Sequence, residues 1–304
     1  MDRKRNGGRK PAERTETSGK AGKTDRTGKA GKTGMPGKRN SAAEHREAPE
    51  HLLAGRNPVM EALKSGREME KILLLKGAEG SVKKIEGMAR DQNIEIQYVQ
   101  RNALDRMTDG AAHQGVAAFV AGFHYCEPED LLAAAEVKGE DPFLLILDGI
   151  EDPHNLGAII RTADASGAHG VIIPKRRAAA VTPTAEKAAA GAAEYVSVAR
   201  VANIARTIDD LKERGIWIAA ADMDGAEVWQ SDLTGPIALV IGSEGNGVSR
   251  LVREKCDYIV SFPMRGRINS LNASNAAALL MYEVFRQRKS RSTSRVTPFT
   301  VPDL

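Results

Sequence analysis

Between residues 143 and 262 the chain alternates short, almost unbroken apolar runs with segments of helical periodicity, and this rhythm limits its fold more than any other feature. The apolar runs fall at 143–147, 170–173, 195–198, 216–220, 237–241 and 259–262, and the helical segments at 155–165, 183–193, 203–214 and about 248–255. A strand without polar alternation is buried on both faces, which predicts a parallel sheet with helices on either side. Ligands of such sheets bind beyond the carboxyl ends of the strands. A last helix follows 259–262, with Ala276, Leu279, Leu280 and Val284 on one stripe.

Upstream, residues 51–123 read as a second, smaller α/β domain. A helix from Asn57-Pro58 through Leu63, strands at 71–75, 94–99 and 116–120, and a helix at 81–91 are expected. Residues 124–142, with Pro128, a short Ala-rich helix at 129–137, then Gly139 and Pro142, are expected to be a linker. The larger domain then covers 143–290, and 291–304 forms a tail.

The first 50 residues contain no Leu, Ile, Val, Phe, Trp or Tyr and cannot bury a core, so disorder is expected there. Of the chain's 44 basic and 40 acidic residues, 14 and 7 lie in this tail, leaving 30 and 33 for the rest. The net charge of +4 is therefore a property of the tail, and the folded part is no general polyanion binder. Ala-Gly-Lys-Thr occurs at 21–24 and 30–33, but Thr17 and Arg26 stand where a P-loop needs its leading Gly, and no apolar strand precedes either copy. Cys126 and Cys256 are far apart and lack metal-ligand spacing, so neither a disulfide framework nor a metal site is expected. No apolar run approaches the roughly 20 residues of a membrane span. A cytoplasmic protein is the simplest expectation.

Three stretches at strand-to-helix junctions carry chemistry. The first runs Asp152-Pro153-His154-Asn155-Leu156-Gly157 and on to Arg161. The second is Gly242-Ser243-Glu244-Gly245-Asn246-Gly247. The third is Phe262-Pro263-Met264-Arg265-Gly266, followed by Ser270-Leu271-Asn272 at the head of the last helix. Small hydroxyl and amide side chains there suit plain helix capping. The second stretch spaces its glycines as Gly-x-x-Gly-x-Gly, the reverse of the dinucleotide fingerprint, which argues against a nicotinamide enzyme.

Together, in this order and late in the chain, these stretches resemble the three motifs of the SpoU/TrmH family of RNA ribose 2′-O-methyltransferases. Leu52-Leu53-Ala54-Gly55-Arg56-Asn57-Pro58-Val59 and His113-Gln114-Gly115-Val116-Ala117 resemble the substrate-binding domain, related to ribosomal protein L30e, of its ribosomal-RNA branch. The resemblance spans about residues 51–290 and is greatest to enzymes that methylate a guanosine ribose in 23S ribosomal RNA.

The resemblance implies a knotted SPOUT-type α/β fold with a deep trefoil, S-adenosylmethionine as methyl donor, no metal, and a homodimer acting on 23S ribosomal RNA. It implies that Gly242, Phe262 and Leu271, with Ile241 and Met264, hold the donor. Asn155, Arg161, Glu244, Ser270 and Asn272 are then the catalytic set. A ribose hydroxyl is a very weak acid, so Arg161 acts either as an unusual base or by stabilising the developing alkoxide and a neighbouring phosphate. Arg56, Arg67, His113 and Gln114 lie beside turns, where they could touch RNA phosphate or sugar. With 13 aromatics in the chain, base stacking is not expected to dominate. Three alternatives stay open: a tRNA ribose methyltransferase, an rRNA adenosine methyltransferase of the antibiotic-resistance type, and a non-catalytic RNA-binding protein.

Overall fold

A computed structural model describes residues 51–267 and 270–293. The expectations for the basic tail, and for the C-terminal tail beyond Thr293, lie outside the described residues.

The smaller sheet is built from β1 (His51–Ala54), β2 (Met69–Leu75), β3 (Glu95–Val99) and β4 (Val116–Val120), with helices α1 (Arg56–Ser65), α2 (Ser81–Asp91) and α3 (Arg101–Met107) between them. Strand order is β1-β4-β2-β3, antiparallel except for the β2–β3 pair. Alternation along β2 divides the core: Ile72 and Leu74 pack with Leu63 of α1 and Ile85 of α2, whereas Leu73 packs with Leu104 of α3. The expected three strands are thus four. Edge strand β1 is only four residues long, and α3 buries a single residue, Leu104, so neither carries a period that sequence can reveal.

The larger sheet contains β5 (Phe143–Asp148), β6 (Gly170–Pro174), β7 (Val198–Val201), β8 (Trp217–Glu227), β9 (Ile237–Gly242) and β10 (Tyr258–Ser261). Its order is β10-β8-β9-β5-β6-β7, parallel throughout. Both faces are covered, as the apolar strands require. Leu145 and Leu147 of β5 point to a core shared with α5 (Pro153–Ser166), α6 (Pro183–Ala189) and α9 (Ala273–Thr293). Leu144 and Ile146 point to the opposite core, with α7 (Ile204–Glu213) and α8 (Arg250–Lys255).

Three expectations need correction. Residues 124–142 do hold the expected short helix, α4 (Pro128–Lys138), but it is packed and not free: its Leu131 is fully buried under the large sheet, and a Cβ added to Gly170 would lie 2.4 Å from its methyl carbon. The helix expected to reach residue 193 ends at Ala189, because Ala190 and Gly191 turn the backbone to φ of 55° and 103°. That turn and a 3-10 turn at Ala192–Glu194 delay β7 to Val198. Finally, β8 runs well beyond residue 220, re-pairing with β10 after a register shift. Cys256 donates to the Val252 carbonyl at 3.2 Å, and burial pushes its thiol pKa up to about 12. No helix among the described residues is long and apolar enough to cross a membrane.

Candidate active site

Beyond the carboxyl ends of β5, β9 and β10, the three sequence stretches meet. Helix α5 is opened by Asp152, whose carboxylate accepts the His154 N–H at 2.8 Å, with Pro153 in the first helical position. This start places Asn155 on the first turn, facing inward and only 7% exposed. After β9, the Gly-rich turn folds back on itself: Ser243 and Gly247 exchange two backbone hydrogen bonds, of 3.0 and 2.9 Å, with Gly245 and Gly247 at positive φ. Asp148, at the end of β5, accepts the Ser249 N–H at 2.7 Å and ties the turn to the neighbouring strand.

Asn272 joins the third stretch to the other two. Its carbonyl oxygen caps α9, accepting from the Ser274 N–H at 3.0 Å and the Ser274 hydroxyl at 2.6 Å. The amide nitrogen donates to Asn155 Oδ1 at 3.1 Å and to Glu244 Oε1 at 2.8 Å. Asn155 Nδ2 donates to the same Glu244 oxygen. Capping and site assembly, which sequence poses as alternatives, are thus done by opposite ends of one amide. An amide can serve both ends because it carries an acceptor and two donors.

Two cavities meet at this cluster, and Ser243 and Glu244 line both. One, of about 700 Å³, is walled by Ile241, Gly242, Phe262, Met264 and Leu271, all five residues expected to hold the donor, together with Glu244, Ser270 and Asn272. The other, of about 720 Å³, is lined by Asn155 and Asp148 and by Arg176 and Arg177 after β6. Of the ten candidate site residues, eight line the first cavity and Asn155 reaches it through hydrogen bonds. Arg161 stands apart. It is exposed on the third turn of α5, lines neither cavity, and has no hydrogen bond or ion pair among the described residues. Six residues at 1.5 Å rise carry it about 9 Å along the helix from Asn155.

Sequence reasoning missed Ala221, Asp222 and Met223, which wall the first cavity from the extension of β8. Their only signal was Gly225, where a Cβ would sit 2.6 Å from the Ile259 carbonyl and so marks close backbone approach. Three groups expected to touch RNA are held by partners within the protein. His113 is 5% exposed; its Nδ1 accepts the Gly115 N–H at 2.9 Å, which leaves Nε2 to donate to Asp105 at 3.0 Å. Arg67 is half-buried and paired with Glu186 and Glu194. Arg56 is held at Gln114, its Nε donating to the carbonyl there at 2.9 Å.

The chemistry of the first cavity suits a nucleoside-sized cation: apolar walls, backbone groups at strand ends, and the carboxylates of Asp222 and Glu244.

Comparison with known proteins identifies the family. Residues 142–282 match the model of the SpoU rRNA Methylase family, and residues 52–126 match that of the RNA 2′-O ribose methyltransferase substrate-binding domain. The chain is 53% identical over 236 residues to a Bacillus subtilis protein named "Putative TrmH family tRNA/rRNA methyltransferase YacO", covering 77% of this chain and 94% of that one. A Staphylococcus aureus protein of the same family description is 47% identical over 241 residues, covering 78% and 96%. Among solved structures, the SpoU methyltransferase AviRb from Streptomyces viridochromogenes, in complex with the cofactor AdoMet, superposes with a TM-score of 0.68 at 30% identity, over 79% of this chain and 91% of that one. With its motifs gathered at one site and relatives matched over nearly their whole length, the chain belongs to the SpoU/TrmH family of RNA methyltransferases.

Proposed function

We propose that this protein transfers a methyl group from S-adenosylmethionine to the ribose 2′-hydroxyl of a guanosine in 23S ribosomal RNA. The observation that carries this reading is the hydrogen-bonded junction of Asn155, Glu244 and Asn272, one residue from each motif, beside a cavity of donor size. The donor, when bound, supplies a sulfonium methyl already activated for displacement. Ile241, Gly242, Phe262, Met264 and Leu271 would hold it. Glu244 fixes the two amides, and Asn155 and Ser270 orient the incoming ribose. With its donors open to solvent, Arg161 offers its charge to RNA, to an alkoxide or to an adjacent phosphate, which favours stabilisation over base catalysis. The knotted threading implied by the family resemblance is part of the same reading; strand order β10-β8-β9, with the last strand returning outside β8, is in keeping with it.

A substrate-binding domain at residues 52–126 supports an RNA substrate, and the choice of ribosomal RNA over tRNA rests on the resemblance of that domain to the ribosomal-RNA branch of the family. Mapping 2′-O-methyl groups on ribosomal and transfer RNA from cells with and without the gene tests the assignment. Loss of one guanosine mark in 23S RNA is expected. Loss of a tRNA mark or of an adenosine mark would reassign the substrate, and an unchanged map would remove the enzymatic reading.

A homodimer completes the proposal. Leu279, Tyr282 and Phe285 recur on one face of α9 and are 41–48% exposed, and with Trp229 they line an apolar recess of about 1100 Å³. Phe262, Met264 and Leu271 line both this recess and the donor cavity, so a second copy seated there would close the cavity wall. Replacing Leu279 and Phe285 together by Glu is expected to give a monomer in sedimentation equilibrium with reduced donor affinity. A dimer that persists in that variant would place the interface elsewhere.

A further inference from the structure

Arg67 was expected on the surface of the small domain, but it is the centre of a partly buried ionic cluster that crosses to the large one. Its guanidinium Nη1 donates to Glu186 at 2.5 Å and to Glu194 at 2.8 Å, and Nη2 donates to the Ala121 carbonyl at 2.7 Å. Glu186, on α6, is only 2% exposed, and its second oxygen meets His51 of β1. The Ser65 hydroxyl donates to Glu194 at 3.1 Å, and the Tyr195 hydroxyl to Glu61 of α1 at 2.7 Å. A carboxylate as deeply buried as that of Glu186 needs such partners, since an unpaired buried charge is strongly unfavourable.

On its other side, α6 lies directly on α5. A Cβ added to Gly157 would be 2.3 Å from the Ala185 carbonyl oxygen and 2.6 Å from Ala188 Cβ, so the two helix backbones touch. Gly157 is two residues beyond Asn155 and four before Arg161. One seven-residue helix therefore has the RNA-gripping domain on one side and the helix bearing two candidate catalytic residues on the other.

We infer that Arg67 is a positioning residue for methyl transfer: through Glu186 and Glu194 it docks the substrate-binding domain on α6, so that RNA held by that domain is presented in register to the groups on α5. This rests on the proposed RNA methyltransferase function. A displacement of about 1 Å between reacting groups can cost 100-fold in rate, so loosening the dock acts on the chemical step and not on either binding step.

The test compares wild type, Arg67→Ala, Glu186→Gln and the double variant, all as the full chain, in single-turnover methylation of 23S ribosomal RNA at saturating RNA and donor. Each single variant is expected to slow the rate at least ~10-fold with RNA and donor affinities within ~3-fold, Arg67→Lys to recover part of the loss, and the double variant to be no slower than the worse single one. Small-angle X-ray scattering should show a larger radius of gyration for Arg67→Ala. Should Arg67→Ala fail to fold, Glu186→Gln, of nearly the same shape, decides by the same readouts. Wild-type rates at saturation in the folded variants, or a loss confined to RNA affinity, would overturn the inference. A wild-type chain that methylates no RNA would instead overturn the function on which it rests.

Discussion

Arg161→Ala should lose methyl transfer by at least ~100-fold in single-turnover assays while keeping S-adenosylmethionine affinity within a few-fold of wild type. Once RNA is bound, a donor that meets a developing oxyanion is worth about 3–4 kcal/mol when it is removed. The guanidinium lines neither cavity and has no partner among the described residues, so alanine deletes no contact that holds the fold or the donor pocket. A stability change of no more than about 0.5 kcal/mol is expected for such an exposed site. Arg161→Lys separates charge from shape. Lysine keeps a point charge but lacks the planar fork, so partial recovery would favour a simple electrostatic role and no recovery a bidentate grip on phosphate or alkoxide. Full turnover by Arg161→Ala would take this residue out of the mechanism and leave the work to Asn155, Glu244 and Ser270.

What sequence could and could not tell follows from how far each signal travels along the chain. The large sheet was legible because runs such as 143–147 and 237–241 are apolar at every position, and only a strand covered on both faces tolerates that. Convergence of the motifs was legible for the same reason, since all three begin where such strands end. Less visible was anything set by distant partners. Nothing local distinguishes Arg67, clamped between carboxylates 119 and 127 positions away, from an arginine in solvent. The burial of α4 was equally hidden: its sequence has no amphipathic stripe, and Leu131 is anchored only because Gly170 leaves room for it. Sequence also put Arg161 in the same cluster as Asn155. Six positions on a helix separate them by nearly two turns, and in this chain that suffices to leave Arg161 outside the amide and carboxylate junction.

Gly242→Ala is expected to weaken donor binding and transfer together, the reverse of the split expected at Arg161. Gly242 does not owe its place to a left-handed backbone; it owes it to space. A Cβ there would lie 2.1 Å from the Gly247 carbonyl carbon, 2.2 Å from the Val248 nitrogen and 2.4 Å from the Gly247 oxygen, and all three are backbone atoms that no side-chain rotation can move aside. Either β9 shifts within the centre of the sheet, where it pairs with β5 and β8, or the 243–247 turn opens. Opening is the easier path, because it gives up only the two Ser243–Gly247 hydrogen bonds. It also withdraws Glu244 from Asn155 and Asn272 and removes one wall of the 700 Å³ cavity. Overpacking of this kind costs about 1–3 kcal/mol, or roughly 2–4 °C of melting temperature per kcal/mol in a chain of this size. The variant should therefore stay folded, with a lowered melting point, while calorimetric S-adenosylmethionine affinity falls more than ~10-fold. Gly235→Ala is the control: no atom lies within 4 Å of its added Cβ and its φ is not positive, so donor binding and melting should match wild type. Wild-type donor affinity in Gly242→Ala would mean that the turn gives way without disturbing the cavity, and that the donor is held elsewhere than between β9 and the head of α9.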